Sequence, residues 1–337
     1  MRDRGLIIAW AVLFLTLAGA ALFAQLAYDG RQPKGAAEAG ARAGGNAISI
    51  DRNATGAASG TALTGPNAVG GGPAGRATGS APAPSSQQAD ALTEAAPPPR
   101  VAFAAEAPPD DGRPRIVLIM TDIGLSRARS REAVERLPPG VTLAVLSYAE
   151  DREQWILDAR AAGHEVLLAA PMEPTGYPNV DPGPNPLLID MDDLENLARY
   201  DRALRDSAGV VGVMPNHGDR FLADRERIRP ILAATEDRGL IFVDNRASPT
   251  SAVAELAPSL GLPVVLNDRF VDAVPARSAI AGRLEELETI ASRRGYAVGV
   301  AEPYPVSIEA VARWASGLDA RGFVLAPASA VARIPER

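Results

Sequence analysis

Asp122, Glu173, Asp244 and Glu302 each close a short apolar run, in IVLIMTD, VLLAAPME, LIFVD and YAVGVAE. Such runs, bounded by polar residues, read as buried strands, so each carboxylate stands at a strand's carboxyl end. A carboxylate placed there can ligate a cation or carry a proton in hydrolysis. Taken alone, it is equally a cap or turn former for the loop that follows. His217, in MPNHGDRF, and Arg246, in VDNRAS, follow two of the runs and join the same side. Asp268 and Asp272 follow PVVLN, where a turn is the ordinary role. His164 lies just before its run, at the opposite end, and reads as structural.

Composition narrows the chemistry. Two histidines and no cysteine in 337 residues exclude histidine-rich metal sites, zinc–thiolate sites, disulfides and cysteine nucleophiles. The net charge of -7 argues against a nucleic-acid partner, because phosphate binding needs a basic face. Aromatic residues, at 5%, are few for stacking on bases or sugars. Neither GxGxxG nor GxxxxGKS/T follows any apolar run, so nucleotide binding is not supported.

The elements that position these groups are regular. Candidate strands are Arg115–Met120, Val141–Leu146, Glu165–Ala170, Val210–Val213, Leu240–Val243, Pro263–Leu266, Tyr296–Val300 and Phe323–Leu325. Between them, stretches such as SREAVERL, MDDLENLARYDRALRDS and AIAGRLEELETIASRRG carry the apolar spacing of amphipathic helices. Several end in Arg-Gly or Ala-Gly, as helix C-termini should. Near-continuous apolar strands alternating with helices predict an α/β fold with a parallel sheet. Seven or eight units in about 225 residues fit a (β/α) barrel of seven or eight strands better than an open doubly wound sheet. Chemistry in such barrels sits at the carboxyl ends of the strands, which sets all six candidates around one rim.

This barrel is expected over residues 113–337. Residues 1–29 contain a long apolar segment, 6–27, behind Arg2 and Arg4. A bilayer core needs roughly 20 helical residues, and the arginines favour a cytoplasmic N-terminus. The segment therefore reads as a transmembrane helix, with the rest of the chain exported; a cleaved signal peptide is the alternative. Residues 30–112 are rich in Gly, Ala, Pro and Ser. They bury too little apolar surface to offset ordering entropy and read as a flexible, disordered linker.

The segments IMTDIGLS, LAVLSYAED, AAGHEVLLAAPMEP, GVVGVMPNHGDRF, RGLIFVDNRAS and AEPYP occur in an order and spacing that resemble the divergent polysaccharide deacetylases of Gram-negative bacteria. The resemblance covers about residues 113–333. It implies a barrel of the polysaccharide-deacetylase type in the periplasm, which agrees with the apolar segment at residues 6–27 read as a single-pass inner-membrane anchor. It also implies N-acetyl polymers, envelope polysaccharide or peptidoglycan, as the substrate class. In the wider superfamily a divalent metal, usually zinc, binds an aspartate and two histidines. It polarises the acetyl carbonyl and lowers the pKa of a bound water. An aspartate just before the metal-binding one is the base.

Carried over residue by residue, Asp122 takes the metal-ligand position and Thr121 the base position. A threonine hydroxyl cannot act as a general base at neutral pH. Family histidine positions fall on Ala169, Asn216 and Glu302, whereas Glu173, Asp244 and Arg246 keep the family's residues. His217 is one residue late, and on an extended strand it would point the other way. The resemblance thus leaves Asp122, Glu173, Asp244 and Arg246 as candidate catalytic residues, and Asp122, His217 and Glu302 as candidate metal ligands. An oxygen-rich set of that kind suits magnesium, calcium or manganese better than zinc. Two functions follow. One is a metal-dependent, deacetylase-like hydrolase with a degenerate active site. The other is a catalytically inactive module that binds glycan or a cell-wall protein through the same cleft.

Overall fold

Each of the eight expected apolar runs is a strand in the computed structural model, which describes residues 96–336. The strands are β1 Arg115–Ile123, β2 Thr142–Leu146, β3 Val166–Met172, β4 Gly212–His217, β5 Ile241–Asp244, β6 Val264–Leu266, β7 Arg269–Phe270, β8 Tyr296–Ala301 and β9 Val324–Leu325. All ladders between them are parallel, in the order β6-β5-β4-β3-β2-β1-β8-β7, with β9 also paired to β1. The helices are α1 Pro99–Ala102, α2 Arg127–Arg136, α3 Arg152–Ala161, α4 Asp193–Leu204, α5 Asp219–Ala223, α6 Arg225–Asp237, α7 Val253–Leu260, α8 Arg277–Arg294 and α9 Pro305–Ser316.

Strand alternation divides the buried side chains into two layers. Val117, Ile119, Ala144, Leu146, Leu167, Ala169, Met214, Val243, Val298 and Val300 pack together inside the curved sheet. Their neighbours Ile116, Leu118, Met120, Leu143, Val145, Val166 and Leu168 pack outward with Trp155, Ile156, Phe221, Ile228 and Leu284 of the helices. Both faces of every central strand are therefore covered, which is why these strands read as unbroken apolar runs.

A closed barrel was the expectation, and the ring does not close by hydrogen bonds. The sheet ends at β6 on one side and at β7 on the other. Only Asn267 and Asp268 lie between these two strands in the chain. Two parallel neighbours need a crossover of roughly a dozen residues, so β6 and β7 cannot close the sheet as a parallel pair. The architecture is a parallel (β/α) half-barrel with its seam at Asn267–Asp268.

The linker expectation also needs correcting at its end. Residues 96–112 carry structure of their own, including α1. Arg100 N donates to Gly239 O at 3.0 Å. Arg160 Nη1 donates to Phe103 O at 2.8 Å, and the Phe103 ring packs against the inner layer. Composition hid this, because one phenylalanine in a Pro/Ala-rich segment gives no periodicity. Residues 1–95, with the expected membrane segment at 6–27 and most of the expected linker, lie outside the described residues. Among the described residues no helix is long and apolar enough to cross a membrane.

Two glycines test this packing with opposite signs. A Cβ at Gly212 would collide with Ile241 Cγ1 and stand 2.5 Å from the Ile241 carbonyl oxygen, across the β4–β5 ladder. A Cβ at Gly282, inside α8, meets nothing within 4 Å. Gly212→Ala is expected to destabilise by about 1–3 kcal/mol through overpacking, and Gly282→Ala to stabilise by about 0.5–1 kcal/mol through helix propensity. Urea unfolding of the full-length chain in detergent reads both. A neutral Gly212→Ala would refute the close approach.

Candidate functional site

At the carboxyl ends of the strands a cavity of about 150 Å³ is bordered by Thr121, Asp122, Pro215, Asn216, His217, Asn245, Phe270 and Glu302, among others. Backbone departures build it. The β1–β2 register shifts between Met120 and Ile123, and Asp122 has a left-handed φ of 57°. A bulge of this kind re-aims side chains, and here both Thr121 and Asp122 reach the cavity. The Thr121 hydroxyl donates weakly to Asp122 Oδ1, at 3.4 Å.

His217 repeats the device at the end of β4, with φ 62°. Strict alternation would turn it away from Asn216. The left-handed residue breaks the period, and both side by side border the cavity. Arg246, behind β5, is the third left-handed rim residue, with φ 50°. Non-glycine residues hold this conformation at a cost of about 1–3 kcal/mol each, typically at functional sites.

Side-chain amides hold the rim together where backbone pairing stops. Between β4 and β5 the ladder consists of Gly212–Ile241 and Val213–Phe242. Beyond it, Asn245 Nδ2 donates to His217 O at 2.9 Å, and Asn267 Nδ2 donates to Asn245 O at 3.0 Å. Asn216 Nδ2 donates to Pro182 O at 2.8 Å and to the Tyr148 hydroxyl at 3.3 Å. Sequence reasoning missed Asn245 and Asn267 as site-builders. Their only signal is that each directly follows a strand, together with an aspartate.

Carboxylates crowd the β1–β8 side. Burial first, and then the Glu302 carboxylate, push Asp122 up to about 6, with a weaker contribution from Asp272 and opposition from the Thr121 hydrogen bond. Asp272 is buried; its Oδ2 accepts from Glu302 N at 2.9 Å and from Ser307 Oγ at 2.6 Å, fixing the loop that carries Glu302. A hydrogen bond to Glu302 is the main cause that pushes the Tyr304 phenol up to about 12.

The remaining expected residues are placed elsewhere. Glu173, 2% exposed, does not border the cavity. Its Oε1 accepts from Arg220 Nη1 at 2.5 Å and its Oε2 from Ile189 N at 2.7 Å. It clamps the loop after β3 to α5, with both oxygens engaged. Asp244 is likewise buried beneath the rim, with Oδ1 accepting from Arg246 N at 2.7 Å; burial is the main cause raising its pKa. Arg246 is exposed and has no ion-pair partner among the described residues. His164 lies at the far end as expected, its ring nitrogens facing Val141 O and Val134 O at 2.8 and 3.2 Å.

A family model for divergent polysaccharide deacetylases matches residues 118–332, most of the folded part. The chain belongs to the divergent polysaccharide deacetylase family. It is similar to a structurally solved, uncharacterized protein of Agrobacterium tumefaciens C58, with 33% identity, a TM-score of 0.68, and coverage of 69% of this chain and 94% of that one. Uncharacterized protein YibQ of Escherichia coli K12 is 21% identical over 194 residues, 58% of this chain and 60% of YibQ. The match thus spans less than two thirds of that relative. A protein of Haemophilus influenzae is 22% identical over 201 residues.

The zinc of the wider deacetylase superfamily does not fit the residues present in this divergent member. Ala169 is packed into the inner layer with no donor atom, and Asn216 offers a neutral amide oxygen in place of an imidazole, its nitrogen donating to Pro182 and Tyr148. Asp122, His217 and Glu302 border one cavity. Yet among the described residues no three His, Asp or Glu side chains gather closely enough to hold one ion. The expected ligand set is therefore not assembled.

Asp122 gives a pH-dependent prediction. Its folded-state value, about 6, lies above the ordinary 3.8. Its stabilising contribution is full below the lower value and is lost as pH rises through the upper one. Asp122→Asn is therefore expected to stabilise the protein at pH 7.5, by about 1–3 kcal/mol for a shift of this size shared with neighbouring charges, and to change little near pH 4. Urea unfolding followed by tryptophan fluorescence reads the difference; equal effects at both pH values would contradict the crowding.

Proposed function

We propose that this protein is a glycan-binding member of its family, directed at N-acetylated envelope polysaccharide such as peptidoglycan, without zinc-dependent hydrolysis. One observation carries the reading: among the described residues no three His, Asp or Glu side chains gather closely enough to hold one ion, and the positions that resemble the family's histidines include an inward-packed alanine and a neutral amide. What remains in the cavity suits a sugar. Carboxylate, amide and hydroxyl groups exchange hydrogen bonds with sugar hydroxyls and an acetamido group. Phe270, 39% exposed at the cavity edge, offers an apolar face to a sugar ring. The apolar segment at 6–27 supports single-pass anchoring in the inner membrane, with this domain on the periplasmic side. Cell-wall proteins are the alternative partners of the same cleft.

The hydrolytic reading rests on the family and on Asp122, whose value near 6 lies in the range useful for proton transfer. The two readings separate in one experiment on the full-length chain in detergent. Retention on peptidoglycan is expected, weakened roughly 2- to 10-fold by Phe270→Ala, with no acetate released whether or not zinc is added. Acetate release that a chelator stops, with one zinc per chain that Asp122→Ala loses, would establish the hydrolase instead. Failure to be retained on any N-acetylated glycan would end the glycan reading.

A further inference from the structure

We infer a second, cationic subsite beside the cavity, formed by Arg152, Arg199 and Arg202, that takes the oxyanion of an acidic glycan, a carboxylate or a phosphate. A hollow of about 200 Å³ is lined by these three arginines together with Ser147, Tyr148, Asn185 and a few apolar neighbours, and by no Asp or Glu. The chain as a whole carries more acidic than basic residues, 41 against 34. An acid-free hollow with three guanidinium groups is therefore a local reversal of its charge.

The partners of these arginines show what is left for a ligand. Arg152 opens α3, and its Nη1 donates to Ser147 O and to Ala203 O while its Nη2 donates to Arg205 O. These last two are backbone carbonyls at the C-terminal end of α4, where the helix dipole favours a cation. They fix the guanidinium in place without a carboxylate. Its Nε is buried with no acceptor. Arg199 donates through Nε to Glu195 at 3.0 Å and through Nη1 to Pro186 O at 2.8 Å, and its Nη2 is uncommitted among the described residues. Arg202, exposed in the last turn of α4, has neither an ion pair nor a hydrogen-bond acceptor for its side chain among them. Arg199 and Arg202 are three residues apart and share one helix face.

Three guanidinium groups around one hollow repel each other, and Glu195 offsets one of them. An oxyanion placed among them removes the repulsion, and the guanidinium fork matches carboxylate and phosphate geometry. The hollow also adjoins the cavity. Tyr148 lines it, and the Tyr148 hydroxyl accepts from Asn216, which borders the cavity. A sugar in the cavity thus has an anion subsite next to it for an acidic substituent. The subsite itself stands on this geometry; only its assignment to a glycan rests on the function proposed above.

Titration calorimetry of the full-length chain in detergent tests it with inorganic phosphate, glucuronate and neutral glucose. Binding of at least one of the two anions is expected, and no binding of glucose. Glucuronate alone points to a carboxylated glycan, and phosphate alone to a phosphorylated one. Arg202→Ala removes an exposed side chain without partners, so melting should be unchanged while anion affinity falls roughly 10-fold or more, the loss of a charge-assisted hydrogen bond; Arg199→Ala should act in the same direction. No binding by either anion, or affinity unaltered in Arg202→Ala, overturns the subsite. No polymer is used, so this result is independent of retention on peptidoglycan.

Discussion

Backbone pairing runs out at the carboxyl rim of the half-barrel, and the candidate site is built from what replaces it. Strand β4 follows β3 down to Met172–His217, but it leaves β5 after Val213–Phe242. Buried backbone groups left behind must still find partners. Asn245 takes the carbonyl of His217, Asn267 takes that of Asn245, and Asn216 takes that of Pro182. These amides bridge from β4 through β5 to the seam that the chain crosses between β6 and β7. The same requirement commits the Asn216 amide nitrogen and leaves its oxygen without a hydrogen-bond partner among the described residues.

The second constraint is charge. Asp122, Glu302 and Asp272 lie near enough for each to disfavour ionisation of a neighbour. Two of the rim's bordering residues, Asp122 and His217, also sit in left-handed conformations. Neither feature stabilises the fold. Both are sustained because two apolar layers anchor the strands below, so the rim is the part of the molecule where stability is given up for a shaped, polar cavity.

Apolar runs made the sheet legible in the sequence, and burial on both faces explains why. The two-residue β7, Arg269–Phe270, has no run to show. Segment 96–112 looked like linker because its anchoring depends on a single ring, Phe103, and on contacts with distant residues. Carboxylates at strand ends were visible as a set, but their roles were not. Glu173 and Arg220 are separated by 47 residues, and nothing in the spacing announces their pairing. Strand alternation points His217, a candidate ligand, away from Asn216, and a single left-handed residue overrides that alternation. Asn245 and Asn267 were passed over because an asparagine after a strand looks like an ordinary turn former.

Thr121 ties the site's chemistry to its electrostatics. A metal site can concentrate carboxylates because the cation offsets their repulsion. Where donors are lost, the carboxylates left behind repel each other and bear the desolvation of their site unaided. Here the residue before Asp122 is a neutral hydroxyl that donates to it, and Ala169 and Asn216 carry no charge either. Burial first, and then the Glu302 carboxylate, raise Asp122 despite its threonine neighbour. The neutral residues Thr121, Ala169 and Asn216 and the acids Asp122 and Glu302 stand next to a hollow of three arginines, of which only Arg199 has an ion-pair partner among the described residues.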